Sequence, residues 1–238
     1  LNRRFGVRHD VAAPSTLILA TSILLVGTGV PLAAQETGAD PRLLQSIDLY
    51  TGVAGHVDDA EARRLLEAAA SNPNDALATM WIARVHSTGR MTFPVDPDHA
   101  RQVASRVIDR VRDLAADGDV EAAFLMGTAY DESLGVEQDY HEAMRWYRKA
   151  AHRGHVLAVH NVGNMYRDGR GIEVDHARAA IWWLRAARAG DVIPALRLGE
   201  AYEAGRGVPL DAETARTWYE QAAAAGNATA AEALERIG

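Results

Sequence analysis

Cysteine is absent from all 238 residues, so neither a disulfide framework nor a thiol nucleophile is available to this chain. Lysine is nearly absent as well: Lys149 stands alone among the arginines, and with the many alanines this looks like the usage of a GC-rich bacterial genome. Aromatic residues make up only 6% of the chain, so the places where they fall carry information. Basic charge is in deficit, with 25 Lys and Arg against 32 Asp and Glu. A net of -7 argues against nucleic acid and anionic membrane as general partners.

Long apolar runs are also missing, except for one uncharged stretch over residues 11–35. Arg3, Arg4 and Arg8 precede it, and Pro31-Leu32-Ala33-Ala34 follow. Basic, apolar and small residues in that order predict an export signal at 1–34, followed by a linker at 35–40. The alternative is a retained inner-membrane anchor, since about 20 apolar residues suffice to span a bilayer. Either reading leaves the basic end in the cytoplasm and puts the remainder outside it, periplasmic or secreted. Without residues 1–34 the body holds 22 basic and 31 acidic residues, a net of -9. Its 204 residues must cohere by burial alone.

What the body does contain is a period. Gly127, Gly163 and Gly199 stand 36 positions apart, in step with Tyr130, Tyr166 and Tyr202, with Asp139, Asp175 and Asp211, and with Trp146, Trp182 and Trp218. Gly135, Gly171 and Gly207 share the register, as do Gly154, Gly190 and Gly226. Such a period means stacked copies of one supersecondary unit that cannot bury its apolar face alone. Each copy reads as two helices. The first spans about 119–131, capped by Asp119, with Ala123, Met126, Gly127 and Tyr130 on one face. The second opens at Asp139, with Glu142 as capping-box partner, and stops at Gly154.

Upstream the pattern is degraded. Helices are predicted at 43–51 and 58–70, then a unit with an insertion whose second helix runs from 98 to 116, and a lone helix closes the array at 227–237. The units are thus 41–73, 74–117, 118–153, 154–189 and 190–226, with a terminal helix at 227–238.

The stretches "VGNMYRDGRGIEVDHARAAIWWLRAARAG" at 162–190 and "LGEAYEAGRGVPLDAETARTWYEQAAAAG" at 198–226 resemble the Sel-one-like repeat, a branch of the tetratricopeptide-like solenoids. Ser133 departs from the pattern at the first loop glycine and Trp183 at the tyrosine of the aromatic pair. The resemblance implies an all-α, right-handed solenoid of antiparallel helix pairs that serves as a scaffold or adaptor for other proteins. Exported bacterial members that it looks like regulate membrane sensor kinases or take part in polysaccharide secretion and envelope assembly. A cysteine-rich subgroup linked to penicillin binding is disfavoured, because its paired cysteines are absent here.

No local constellation argues for catalysis, and no cofactor is implied. The Gly169-Arg170-Gly171 and Gly205-Arg206-Gly207 loops lack the strand and the Lys-Ser/Thr of a phosphate loop and read as helix-to-helix turns. The tryptophan stripe reads as core rather than a sugar platform. His152, His155 and His160 are spaced so that their ring nitrogens need not converge on a metal. His141-Glu142 lacks the second histidine of a zinc-protease helix, and Asn227-Ala228-Thr229 is a sequon of chance grade. An envelope hydrolase acting on peptidoglycan or a β-lactam, and end-to-end self-assembly, remain as alternatives.

The remaining candidate is a surface. With Ala123, Gly127 and Tyr130 turned inward, a 100° step per residue sends the opposite side of each first helix to the concave groove. There the repeats place Glu121, Phe124, Thr128 and Asp131, then Leu157, His160, Asn164 and Arg167, then Ile193, Leu196, Glu200 and Glu203. Leu77, Met80, Arg84 and Ser87 extend the row by a weaker alignment. Phe124, Leu157, Ile193 and Leu196 on a wet face would make an apolar strip flanked by acid, suited to a peptide or helix with some basic charge. Packing between neighbouring units is the competing account of these side chains.

Overall fold

The computed structural model describes residues 39–237, and all regular structure among them is helical. In order the helices are α1 (Pro41–Thr51), α2 (Asp59–Ala70), α3 (Ala76–Thr88), α4 (Pro97–Ser105), α5 (Ile108–Ala116) and α6 (Val120–Glu132). They continue as α7 (Tyr140–His152), α8 (Val156–Asp168), α9 (His176–Arg188), α10 (Val192–Ala204), α11 (Ala212–Ala224) and α12 (Ala228–Ile237). Except for α4 and α5, which follow end to end, each helix packs on the next in sequence, giving hairpins α1/α2, α3/α4, α6/α7, α8/α9 and α10/α11 that lean on one another as an α-solenoid. The expected export signal lies outside the described residues. Among the described residues no helix is long and apolar enough to cross a membrane.

Aspartate starts almost every helix. The side chains of Asp58, Asp75, Asp96, Asp119, Asp139, Asp175, Asp191 and Asp211 each accept a first-turn N–H, a contact worth about 1 kcal/mol apiece. Second-helix caps also tie back to the first helix. The Asp139, Asp175 and Asp211 N–H groups donate to the carbonyls of Tyr130, Tyr166 and Tyr202 at 3.1, 2.9 and 2.9 Å. This overturns the expected capping box: the Asp139 N–H is already taken, and Glu142 instead pairs with Arg145 at 2.5 Å. Ser133, in place of a glycine, holds the left-handed C-cap at φ 58°, with its hydroxyl donating to the Val136 carbonyl at 3.1 Å.

Within a hairpin, the repeated glycine is where the second helix lays an aromatic ring flat against the first. A Cβ on Gly127 would stand 2.5 Å from Tyr147, and one on Gly163 would stand 2.6 Å from Trp183. Gly199 meets Tyr219 in the same way. Tyr147, Trp183 and Tyr219 are therefore the buried aromatic members. Trp146 is buried just beside them, whereas Trp182 and Trp218 are only partly covered, so the tryptophan register marks the margin of the core rather than its centre.

Between hairpins, the loop glycines Gly171 and Gly207, at φ 66° and 76°, press on the backbone that opens the preceding second helix, at Tyr140–His141 and His176–Ala177. A basic side chain adds a second joint: Lys149 Nζ donates to the Ala115 carbonyl at 2.7 Å, and Arg185 Nη2 to the Ala151 carbonyl at 3.0 Å. Both carbonyls lie in the last turn of a helix, where positive charge is favoured.

The helix expected over 98–116 is two helices. Arg106 and Val107 N–H groups bond three residues back, to Val103 and Ala104, and end α4. Buried Val103, Ala104, Val107, Ile108 and Val111 continue one apolar period across the break, which hides it from the sequence pattern. Gly135 of the next unit lies against Ala104–Ser105 at this point. The curvature of the array brings the α1–α2 turn to its far end, where the Val57 N–H donates to the Ala225 carbonyl at 3.1 Å.

Alanine in a helix interior normally gains about 1 kcal/mol over glycine, but overpacking costs about 1–3 kcal/mol. Gly163→Ala is therefore expected to lower the urea midpoint despite its better helix propensity. Trp183→Leu should cancel most of that loss in a double-mutant cycle read by urea denaturation.

Candidate functional site

The concave row divides into a closed half and an open half. In the closed half, Glu121, Phe124, Thr128, Asp131, Leu157 and His160 are buried, contrary to the expectation of a wet apolar strip. For the α6 residues the cause is α3, which packs against α6 and lays Trp81 against Phe124 with ring centroids 5.9 Å apart. Arg84, fully enclosed, stacks its guanidinium 4.4 Å from the Trp81 ring centre and 5.1 Å from that of Phe124. Burial and the neighbouring Arg90 push its pKa down. Its Nε and Nη1 have no protein partner. Beside it Arg90 and Glu132 form an ion pair at 2.7 Å.

Glu121 is the electrostatic centre of this half. Trp81 Nε1 donates to it at 2.7 Å, and His155 Nε2 lies 2.9 Å from its other oxygen. His155 Nδ1 accepts the Ala158 N–H at 3.2 Å as the α8 cap, so the ring proton sits on Nε2 and is donated to Glu121. Burial raises the Glu121 pKa, but His155, Trp81 and Arg84 together outweigh it and hold the carboxyl below its usual range. Glu132 is lowered in the same sense, burial being overcome by Arg90 and Ser87.

A second reason for the closure is the polar tips of the core aromatics. Tyr147 reaches under Gly127 and donates its hydroxyl to Thr128 at 3.3 Å, with Asp131 at 3.4 Å. Trp183 Nε1 donates to Asn164 at 3.1 Å, and the Tyr219 hydroxyl to Glu203 at 2.6 Å. Residues expected to face a partner thus serve as acceptors for the core, a role concealed because donor and acceptor lie 16 to 19 positions apart. Asp131 is further engaged by Arg170. The three histidines take separate environments: His155 on Glu121, His160 3.2 Å from buried Asp191, and His152 exposed at the end of α7.

The open half lies at the C-terminal end. Leu196, Glu200 and Glu203 of α10, with Arg206 after it, face Thr229, Glu232, Ala233 and Arg236 of α12 across a cleft of about 580 Å³ floored by Tyr219. Arg167 and Glu200 border a smaller recess over Trp183, and Ile193 is half-buried at the start of α10. Hydrogen bonds from Arg236 and Tyr219 hold the Glu203 carboxyl down at about 2, so it is ionised at any ordinary pH. Glu200 pairs with Arg197 at 2.8 Å, and Glu232 is exposed. Glu203 is thus matched by Arg236 and Glu200 by Arg197, which leaves Glu232 as the exposed carboxylate of the cleft, across from Arg206. Thr229, Glu232 and Arg236 had escaped the sequence reading, because α12 follows the last recognisable repeat and offers no second copy for alignment.

The model of the Sel1 repeat matches residues 50–74, 120–155, 156–191 and 195–227. Among solved structures, a protective antigen present in uropathogenic Escherichia coli strains and displaying an SLR fold is 26% identical with a TM-score of 0.54, covering 86% of this chain and 50% of its own. A Sel1 repeat protein from Oxalobacter formigenes is 28% identical with a TM-score of 0.53, covering 83% of this chain and 55% of its own. The present chain therefore spans about half the length of these two proteins. No curated protein matches.

Because Glu121 and Glu132 titrate lower in the folded than in the unfolded chain, the unfolded state takes up protons first as the pH falls. Their contribution to stability is complete above the ordinary carboxylate value of 4.5 and is lost as the pH drops through the folded values. Melting temperatures measured between roughly pH 7 and pH 3 should fall at the acid end, and Glu121→Gln should flatten that fall while lowering the neutral-pH value.

Proposed function

Since the chain belongs to the Sel1 repeat family, whose model covers more than half of it, we propose that it is a non-catalytic adaptor that holds a protein partner in the C-terminal cleft between α10 and α12. Sel1 repeat proteins are generally protein-interaction scaffolds. The observation that carries the finer reading is the contrast between the two halves of the concave face. Where α3 packs on α6 the first-helix residues are consumed by the core, whereas at the C-terminal end Glu200 and Glu203 are half-buried and Arg206 and Glu232 exposed around a cleft, with Leu196 buried at its base. Cleft chemistry sets the partner's: a short helix or extended segment that lays an apolar side chain over the cleft base and brings at least one basic side chain to Glu232, with Glu200 beside it.

The proposal includes export. The basic, apolar and small order of residues 1–34 supports placement in the periplasm or outside the cell, or on the outer side of an inner-membrane anchor. An adaptor in that compartment is suited to an envelope sensor or assembly as its client.

Leu157 is unsuitable for testing the groove, because at 2% exposure a charge there would unfold the unit. Glu200→Lys with Glu232→Lys keeps the fold and reverses the cleft's sign. Crosslinking and affinity capture from intact cell envelopes should recover a partner with the wild-type chain and about tenfold less with the double variant, at an unchanged melting temperature. Equal recovery by both proteins would remove the cleft from the binding surface.

A further inference from the structure

The turn between α1 and α2 lies far in sequence from the residues it touches. The Val57 N–H donates to the carbonyl of Ala225, in the α11–α12 connection. Gly52 abuts Val192, at the start of α10: a Cβ at Gly52, whose φ of 80° already favours glycine, would come 2.7 Å from a Val192 methyl. Val53 covers Gly190, in the α9–α10 connection, where a Cβ would lie 3.6 Å from Val53 Cα and 3.9 Å from its Cβ. One short turn therefore holds two successive inter-hairpin connections at once. Those connections lead into α10 and α12, the two walls of the C-terminal cleft.

The contact is a slight one. The turn 52–57 carries two glycines, Gly52 and Gly55, both at positive φ, and no acidic or lysine side chain. Val53 remains 41% exposed although it sits on Gly190, and the link contains a single backbone hydrogen bond between the two ends of the array. Such a bond contributes about 0.5–1.5 kcal/mol net, far less than the burial that holds a hairpin together. By contrast Val192 and Asp191, on which the turn rests, are buried, and the Asp191 side chain caps α10 through the Ile193 N–H at 3.1 Å. The turn keeps its own shape, through the Gly55 N–H on the Gly52 carbonyl at 2.9 Å and the Asp58 N–H on that of Leu49 at 3.2 Å, so it is only the link to the far end that is slight.

We propose that the Gly52–Val57 turn is a clasp that ties the N-terminal hairpin to both walls of the C-terminal cleft, so that closing or releasing it sets how far α12 moves from α10. The closed clasp fixes the spacing of the α9–α10 and α11–α12 connections and with it the width of the cleft. Released, it leaves α12 held by α11 and by Arg236 on Glu203. The clasp regulates the site described above, and its role in partner capture rests on that reading. Its effect on α12 does not.

The absence of cysteine makes the test clean. Val53→Cys with Gly190→Cys places two Cβ atoms about 3.9 Å apart, inside the range of about 3.5–4.5 Å that a disulfide requires. Mild oxidation of the full chain should give an intramolecular disulfide in most molecules, read by thiol counting and by a mobility shift on a non-reducing gel. Oxidised and reduced forms of this one protein are then compared by amide hydrogen exchange, so that any strain from a cysteine at Gly190, φ 99°, falls in both arms. Amides of α12 should exchange about fivefold more slowly in the oxidised form. Val53→Asp, which leaves Gly190 intact and brings a carboxylate toward Asp191, should release the clasp and make α12 exchange about tenfold faster than wild type while α6 to α9 are unchanged. If the cysteines stay reduced or pair only between molecules, the clasp is not closed in solution and the proposal fails. If the disulfide forms but α12 exchanges equally in every form, the coupling to the cleft fails. Neither outcome touches the Glu200 and Glu232 capture experiment, which judges the cleft itself.

Discussion

The whole array depends on how closely the two helices of a hairpin approach at one glycine. With hydrogen at position 127, 163 or 199, an aromatic ring from 20 residues downstream lies flat on the first helix. That contact sets the spacing of the hairpin, and the spacing sets where the loop and the next hairpin fall. Burying a large ring gives each short unit the apolar area that alanine-rich helices do not provide. The period of 36 is thus the repetition of one contact geometry, with capping aspartates and loop glycines placed to serve it.

Reaching that depth has a consequence for the concave face. A tyrosine or tryptophan that crosses the hairpin brings a donor to the far side, and a buried donor needs an acceptor. Thr128, Asn164 and Glu203 supply it, one per hairpin, from the row that would otherwise be free for ligands. Family scaffolding and local closure are compatible because this demand is met differently along the chain. At Glu203 the acceptor is also held by Arg236 at the rim of open space, and at Thr128 it is sealed beneath the Trp81 and Phe124 stack.

Much of this was legible from residues alone, since the pattern repeats. Helix pairing, the aspartate starts and the left-handed helix ends occur three times in register, and each copy corroborates the others. The break at Arg106–Val107 occurs once, in a unit with an insertion, and leaves the apolar period intact, so no pattern marks it. The closed half of the groove was misjudged for a different reason. Helical periodicity says which way Phe124 and Leu157 point relative to their own helix, and nothing about how near α3 stands to α6. That distance follows from the curvature of the assembled stack, as does the meeting of Val57 with Ala225. The cleft residues of α12 were hidden because only one copy of that element exists.

Gly171 and Gly207 give the array a direction. Each grips the opening turn of the second helix in the hairpin before its own, so every 36-residue unit carries its own fastener toward the N-terminal side and presents a landing place toward the C-terminal side. Duplicating a unit in frame therefore brings both halves of the joint, and a chain can lengthen without any new interface being invented. Removal is not symmetrical. Losing a unit from the leading end leaves a fastener with nothing beneath it, whereas losing one from the trailing end vacates a landing place and takes away the connections that the Gly52–Val57 turn touches.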